Sequence, residues 1–126
     1  MPDFAAMLNK ATAEAQDFIN NPSRLDQLLI NLEATLKRVP VIGESVSELP
    51  TMIAMVKSWI KKEYAVSGKV LATIIGAFIY VVKDRDLIND NIPVIGRADD
   101  IAVVGLALKF VKPEVEAYKA WRDGKR

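Results

Sequence analysis

The residues best equipped for chemistry sit between positions 84 and 100, in the segment DRDLINDNIPVIGRADD. Five aspartates (84, 86, 90, 99 and 100) share this segment with two arginines, Arg85 and Arg97. If the flanking stretches fold as an antiparallel helical hairpin, Asp86, Asp90, Asp99 and Asp100 converge at its elbow. An all-oxygen set of that kind suits Ca²⁺ or Mg²⁺. The spacing matches no EF-hand, because the twelfth position counted from Asp84 is Ile95 rather than a glutamate. Each aspartate also has a local task. Asp86 and Asp90 can bond turn backbone, and Asp99 or Asp100 can cap the helix that follows. No metal site or cofactor is therefore expected. The candidate site is an interaction turn made of Asp86, Asp90, Pro93, Gly96, Asp99 and Asp100.

Composition narrows the function further. The 126 residues include no cysteine and no histidine, which excludes disulfides, Cys/His zinc sites, thiol nucleophiles and histidine acid–base catalysis. Ser45, Ser47, Ser58 and Ser67 have no histidine to activate them, and Ser67 beside Lys69 reads as a helix cap. Neither phosphate-binding glycine pattern occurs; Gly68-Lys69 lacks the upstream glycine and the following Ser/Thr. The chain is expected not to be an enzyme. A formal charge of +1 argues against a nucleic-acid partner, and 51% hydrophobic content argues against disorder.

Two basic clusters carry aromatics. Lys57, Lys61, Lys62 and Lys69 lie near Trp59 and Tyr64, and Lys119, Arg122, Lys125 and Arg126 lie near Tyr118 and Trp121. Such clusters suit anionic lipid headgroups. They equally suit solvated helix ends with aromatic rim packing.

Helices must position all of these groups. Phe4, Leu8, Ala11, Ala15 and Phe18 fall at spacings of 4, 3, 4 and 3, one apolar helical stripe that Asp3 can cap. Asn20-Asn21-Pro22-Ser23 stops it and opens a second helix, in which Leu25, Leu29, Leu32, Leu36 and Val39 repeat at the same spacing. The short connection predicts an antiparallel pair. Ser45 to Glu48 has the capping-box form, and Leu49, Met52, Val56 and Ile60 then line a third helix that ends at Lys61-Lys62. Residues 69–83 form a fourth helix whose middle is apolar all round, so it is expected at the centre. Gly76 costs this helix about 1 kcal/mol relative to alanine, which a close backbone approach by a neighbour would offset. Residues 101–112 form a fifth, again apolar nearly all round, and Pro113 marks a kink or the start of a short C-terminal helix. Pro40-Val41-Ile42-Gly43 recurs as Pro93-Val94-Ile95-Gly96, a repeated turn-into-helix device.

The longest apolar run, residues 70–82, spans about 20 Å as a helix, short of the roughly 30 Å bilayer core. Burial in a bundle is the expected outcome. An alternative is a hairpin of residues 64–112 that inserts into or lies on a membrane, with Lys69 snorkelling. The N-terminus, MPDFAAMLNKATAEAQ, has no apolar core behind a basic start and is not expected to be a signal peptide.

From Met52 to Trp121 the chain resembles the YkvA-like family, also called domain of unknown function 1232. The match rests on Met52-Ile53, Lys57-x-Trp59, Glu63-Tyr64, Ile74-Ile75-Gly76-Ala77, Ile79-Tyr80, Asp86-Leu87-Ile88-x-Asp90, Ile92-Pro93-x-x-Gly96 and Asp99-Asp100, with Lys109-Phe110-Val111 and Trp121 behind them. Such proteins usually place proline ahead of each of the first two aspartates; Asp84 and Asn89 stand there instead, which leaves the turn less rigid. The resemblance implies a small, bacterial, membrane-associated helical protein. It implies no reaction.

The resulting expectation is an all-α bundle of five or six helices with a central hydrophobic hairpin. Residues 1–44 would form an N-terminal helical hairpin and 45–126 the YkvA-like part, in one compact unit. Its expected role is a non-enzymatic protein-interaction module, cytoplasmic or membrane-associated, docking a protein partner or a second copy. The alternatives are a membrane-associated hairpin and a divalent-metal-dependent protein.

Overall fold

The stretch with the most apolar residues is the axis of the molecule. The structure, a computed structural model, describes residues 4–38, 47–87 and 98–124. Among these are five helices and no strand: α1 (Phe4–Ile19), α2 (Pro22–Arg38), α3 (Leu49–Ile60), α4 (Gly68–Leu87) and α5 (Ala98–Gly124). In α4 every residue from Val70 to Ile79 is buried, as a helix without a polar face requires. α1 lies along α4 more extensively than any other pair of elements, and α5 and α2 cover other parts of it. α3 packs on α5 and α2. The all-α bundle around a buried α4 is thus as expected from sequence.

Each start has a local cause. Asn21 accepts the Arg24 N–H through Oδ1 at 3.3 Å, and Pro22 fills the first turn of α2, where no backbone donor is lost. Ser67 accepts the Val70 N–H at 3.3 Å and opens α4. Glu48 stands at the N-cap of α3 without a side-chain cap bond, and Ser45, the other half of the expected capping box, lies outside the described residues. The Glu48 carboxylate meets Lys119 on α5 at 2.7 Å.

α1 and α2 contact each other, and both pack on α4. α1 and α2 touch each other less than each touches α4. Leu25, Leu28, Leu29 and Leu32 are buried in the same apolar cluster as Ile74, Ile75 and Phe78, and each such burial stabilises by roughly 1.5–3 kcal/mol. These leucines therefore form core, and Leu28 also borders a shallow cavity with Phe18, Arg24 and Ile79.

Two helices are longer than their periodicity suggests. α4 continues to Leu87 and α5 begins at Ala98, so both ends of the acidic segment are helical. Pro113 lies inside α5 and separates no elements. The buried residues Val104, Ala107, Val111, Val115 and Tyr118 keep helical phase across it. Pro113 and Lys109, whose carbonyl loses its partner, are both exposed, so water can replace the missing bond. Both Pro-Val-Ile-Gly copies, and the Asp3 and Val39 expectations, lie outside the described residues.

Gly76 meets its expected neighbour. A Cβ built there would stand 2.9 Å from the Cα and the N of Thr12, so α1 crosses α4 backbone to backbone. At the end of α3, Lys62 takes φ 61°. Its N–H reaches the Trp59 carbonyl at 3.0 Å and the Glu63 N–H reaches that of Ser58 at 2.9 Å, the paired bonds of a Schellman turn. A lysine there carries the left-handed strain that glycine avoids.

Two stability predictions follow from these contacts. Gly76→Ala gains helix propensity but overpacks α1, for a net loss of about 1–2 kcal/mol in denaturant unfolding. Lys62→Gly relieves more backbone strain than it adds unfolded-state entropy. It should raise stability by about 0.5–1 kcal/mol, a few degrees in Tm.

Candidate functional site

The expected interaction turn is only partly within view. Asp86 falls in the last turn of α4, and Asp99 and Asp100 fall in the first turn of α5. Asp90, Pro93 and Gly96 lie outside the described residues. Among the described residues no three acidic side chains converge.

Part of the basic-aromatic clusters is spent on packing, while Lys61, Lys62 and Lys69 are exposed and Lys125 and Arg126 lie outside the described residues. Tyr64, Tyr118 and Trp121 form one aromatic group, with ring centroids 5.1 Å apart for Tyr64–Tyr118 and 4.9 Å for Tyr64–Trp121. Tyr118 is buried, and its hydroxyl lies 3.0 Å from the Ser58 hydroxyl, tying α5 to α3. Lys57 meets Glu33 of α2 at 2.7 Å. Lys119 meets Glu48 at 2.7 Å and Glu116 at 3.7 Å. The hydrogen bond to Glu48 raises the Lys119 pKa above its ordinary value; partial desolvation opposes this, and the two carboxylate charges add to it.

The accessible feature lies elsewhere, on α5. The expectation of a helix apolar nearly all round and buried meets a correction here: Phe110 is 53% exposed and Leu106 37%. Both lie well off the Val104–Val111–Val115 stripe, because a helix turns about 100° per residue and only one arc can face α4. Together with α1 and the start of α4 they border an open groove of about 540 Å³. Leu8 and Asn9 contribute from α1, and Lys69 and Ala72 from α4. The Lys69 ammonium stands 5.2 Å from the Phe110 ring centroid, a cation–π contact. Lys109 and Lys112 are exposed on α5, where they border a separate cavity with Glu48, Glu116 and Lys119.

Sequence reading passed over Leu106 and Phe110 because both are apolar. Phase alone did not mark them: Phe110 lies seven residues from buried Val103, on the same helix face.

The sequence matches the family described as "Protein of unknown function (DUF1232)" over residues 70–106. It is also 33% identical over 78 residues to "Uncharacterized membrane protein YkvA" of Bacillus subtilis (strain 168), an alignment covering 61% of this chain and 74% of that protein. The chain belongs to the DUF1232 family. No solved structure matches it. The DUF1232 match runs from Val70 through the acidic segment to Leu106. It therefore includes Ala72 and Leu106 of the groove but neither the α1 wall nor Phe110. Although the Bacillus relative is named a membrane protein, no helix among the described residues is long and apolar enough to cross a membrane. In this DUF1232 chain α4 uses its apolar surface on its protein neighbours.

The Lys119–Glu48 pair yields a pH prediction. A lysine with a raised folded-state pKa adds stability that is fully present below the ordinary value of 10.5 and lost as pH rises through the folded value. Glu48→Gln should cost about 0.5–1 kcal/mol at neutral pH, since both partners are about a quarter exposed. In urea titrations the gap between wild type and variant should close as pH passes above the Lys119 folded-state pKa.

Proposed function

We propose that this protein is a non-enzymatic docking module that rests on an anionic membrane surface through the outer face of α5. The observation that carries this reading is the exposed Phe110–Leu106 pair with the Lys69 ammonium over the Phe110 ring and exposed Lys109 and Glu114 on the same helix. An apolar strip with ammonium groups at its edge suits an interfacial helix: rings and aliphatic chains enter the headgroup boundary while ammonium groups meet lipid phosphates. The name of the Bacillus relative, a membrane protein, agrees with a membrane setting. A surface-bound bundle requires no spanning helix, so this reading agrees with the burial of α4.

The test is sedimentation of the full chain with vesicles. Binding to phosphatidylglycerol-rich vesicles and not to phosphatidylcholine vesicles is expected, weakening with added salt. Phe110→Ser should lower partitioning tenfold or more, from the roughly 1.5–3 kcal/mol that burying a phenyl ring contributes. Lys109→Glu should lower it at least fivefold, at about 1 kcal/mol per basic residue. Protein that stays in the supernatant with every vesicle, yet forms a Phe110-dependent dimer in analytical ultracentrifugation, would replace the bilayer by a second copy as the docking partner.

A further inference from the structure

We infer that the groove between α1, α4 and α5 is a binding site for one hydrocarbon chain of an anionic amphiphile, with the Lys69 ammonium meeting the anionic head. The inference rests on the membrane-facing reading of α5, and it assigns to that surface a ligand.

Size is the first argument. About 540 Å³ falls within the roughly 300–1,000 Å³ of small-molecule sites. A partner α-helix, about 10–12 Å across with its side chains, needs a far larger trough. A single flexible chain has the matching cross-section.

The lining supplies the second argument. The floor and walls are apolar: Leu8 from α1, Ala72 from α4, Leu106 and Phe110 from α5. The space exists because Ala5, Gly68 and Ala72 are small where larger side chains would fill it. Leu106 and Phe110 pay for their exposure only if something apolar covers them.

Charge is the third. Among the described residues, Lys69 is the one ionisable residue of the lining and no carboxylate lines the groove. Its ammonium lies over the Phe110 ring, where the apolar wall ends. The Thr73 hydroxyl donates to the Lys69 carbonyl at 2.9 Å, so its proton is already used. The exposed amides of Asn9 and Gln16, also on the lining, remain as donors to head-group oxygens. An apolar trough with a single cation at its rim selects a chain with an anionic head over a cationic one.

The probe is dodecyl phosphate, titrated into the full chain below its micelle concentration and followed by calorimetry and by backbone amide NMR shifts. Saturable one-to-one binding is expected, with shifts confined to the start of α1, the start of α4 and residues around Phe110. Inorganic phosphate should give no binding, and dodecyltrimethylammonium at least tenfold weaker binding. Ala5→Trp, a change at an exposed position on the groove wall, should block the chain. Lys69→Glu should remove the head contact. Each should lower dodecyl phosphate affinity tenfold or more while leaving the thermal melt within a few degrees of wild type. Absence of saturable binding, or equal binding by both variants, overturns the site. Vesicle sedimentation run in parallel separates the two claims. Sedimentation without dodecyl phosphate binding leaves surface docking standing and removes the groove ligand, whereas dodecyl phosphate binding without sedimentation keeps the ligand site and removes surface docking.

Discussion

The structure depends on the contact of α1 with α4 at Gly76. With no side chain at that position, the Thr12 backbone reaches the α4 backbone, and two helices share a closer approach than any larger residue would permit. That seat lets Ala11 and Ala15 of α1 bury themselves beside α4 while Leu8 reaches Ala77, Val103 and Ala107. α4 loses helix propensity at one residue and gains a neighbour along much of its length. Without this approach α4 would present a polar-free surface to water, a far greater cost than the roughly 1 kcal/mol of the glycine.

The same contact creates the groove. α1 sits deep against the middle of α4, and α5 reaches α4 from another side. Between α1 and α5, over the first turns of α4, small residues leave a trough that neither helix fills. Farther along α5, past Pro113, side chains fasten the bundle. There the Tyr64–Tyr118–Trp121 group, the Ser58–Tyr118 hydroxyl pair and the Glu48–Lys119 bridge fasten α5 to the α3 region. Aromatics and cations that could have served a surface are here structural, whereas Phe110 and Lys69, less conspicuous in sequence, remain accessible. α5 runs unbroken through Pro113, so one helix carries both the aromatic fastening and the exposed strip.

Much of this was legible in the residues themselves. The 4, 3, 4, 3 spacing of α1 and α2, the Asn21-Pro22 start, the Ser67 cap and the all-round apolarity of α4 are local properties, set by helix period and by backbone donors that need partners. Gly76 announced a close approach because a helix tolerates such a residue only for a reason. Membership of the DUF1232 family could also be read in the sequence, from motifs across residues 52–121.

What the chain could not declare by itself was which arc of each apolar helix would find a neighbour. Leu106, Phe110, Val104 and Val111 have similar hydrophobicity, and only the placement of α4 and α1 sorts them into exposed and buried. Glu48 could be a cap or an ion-pair partner, and Lys119, 71 positions away, decided it. Pro113 could break a helix or be carried within one, and the buried phase of Val115 and Tyr118 settled that. Sequence determined the helices, their starts and the central rod, because those follow from short-range bonding and periodicity. Tertiary structure decided the groove and its lysine rim, because an unfilled space is a property of neighbours distant in sequence.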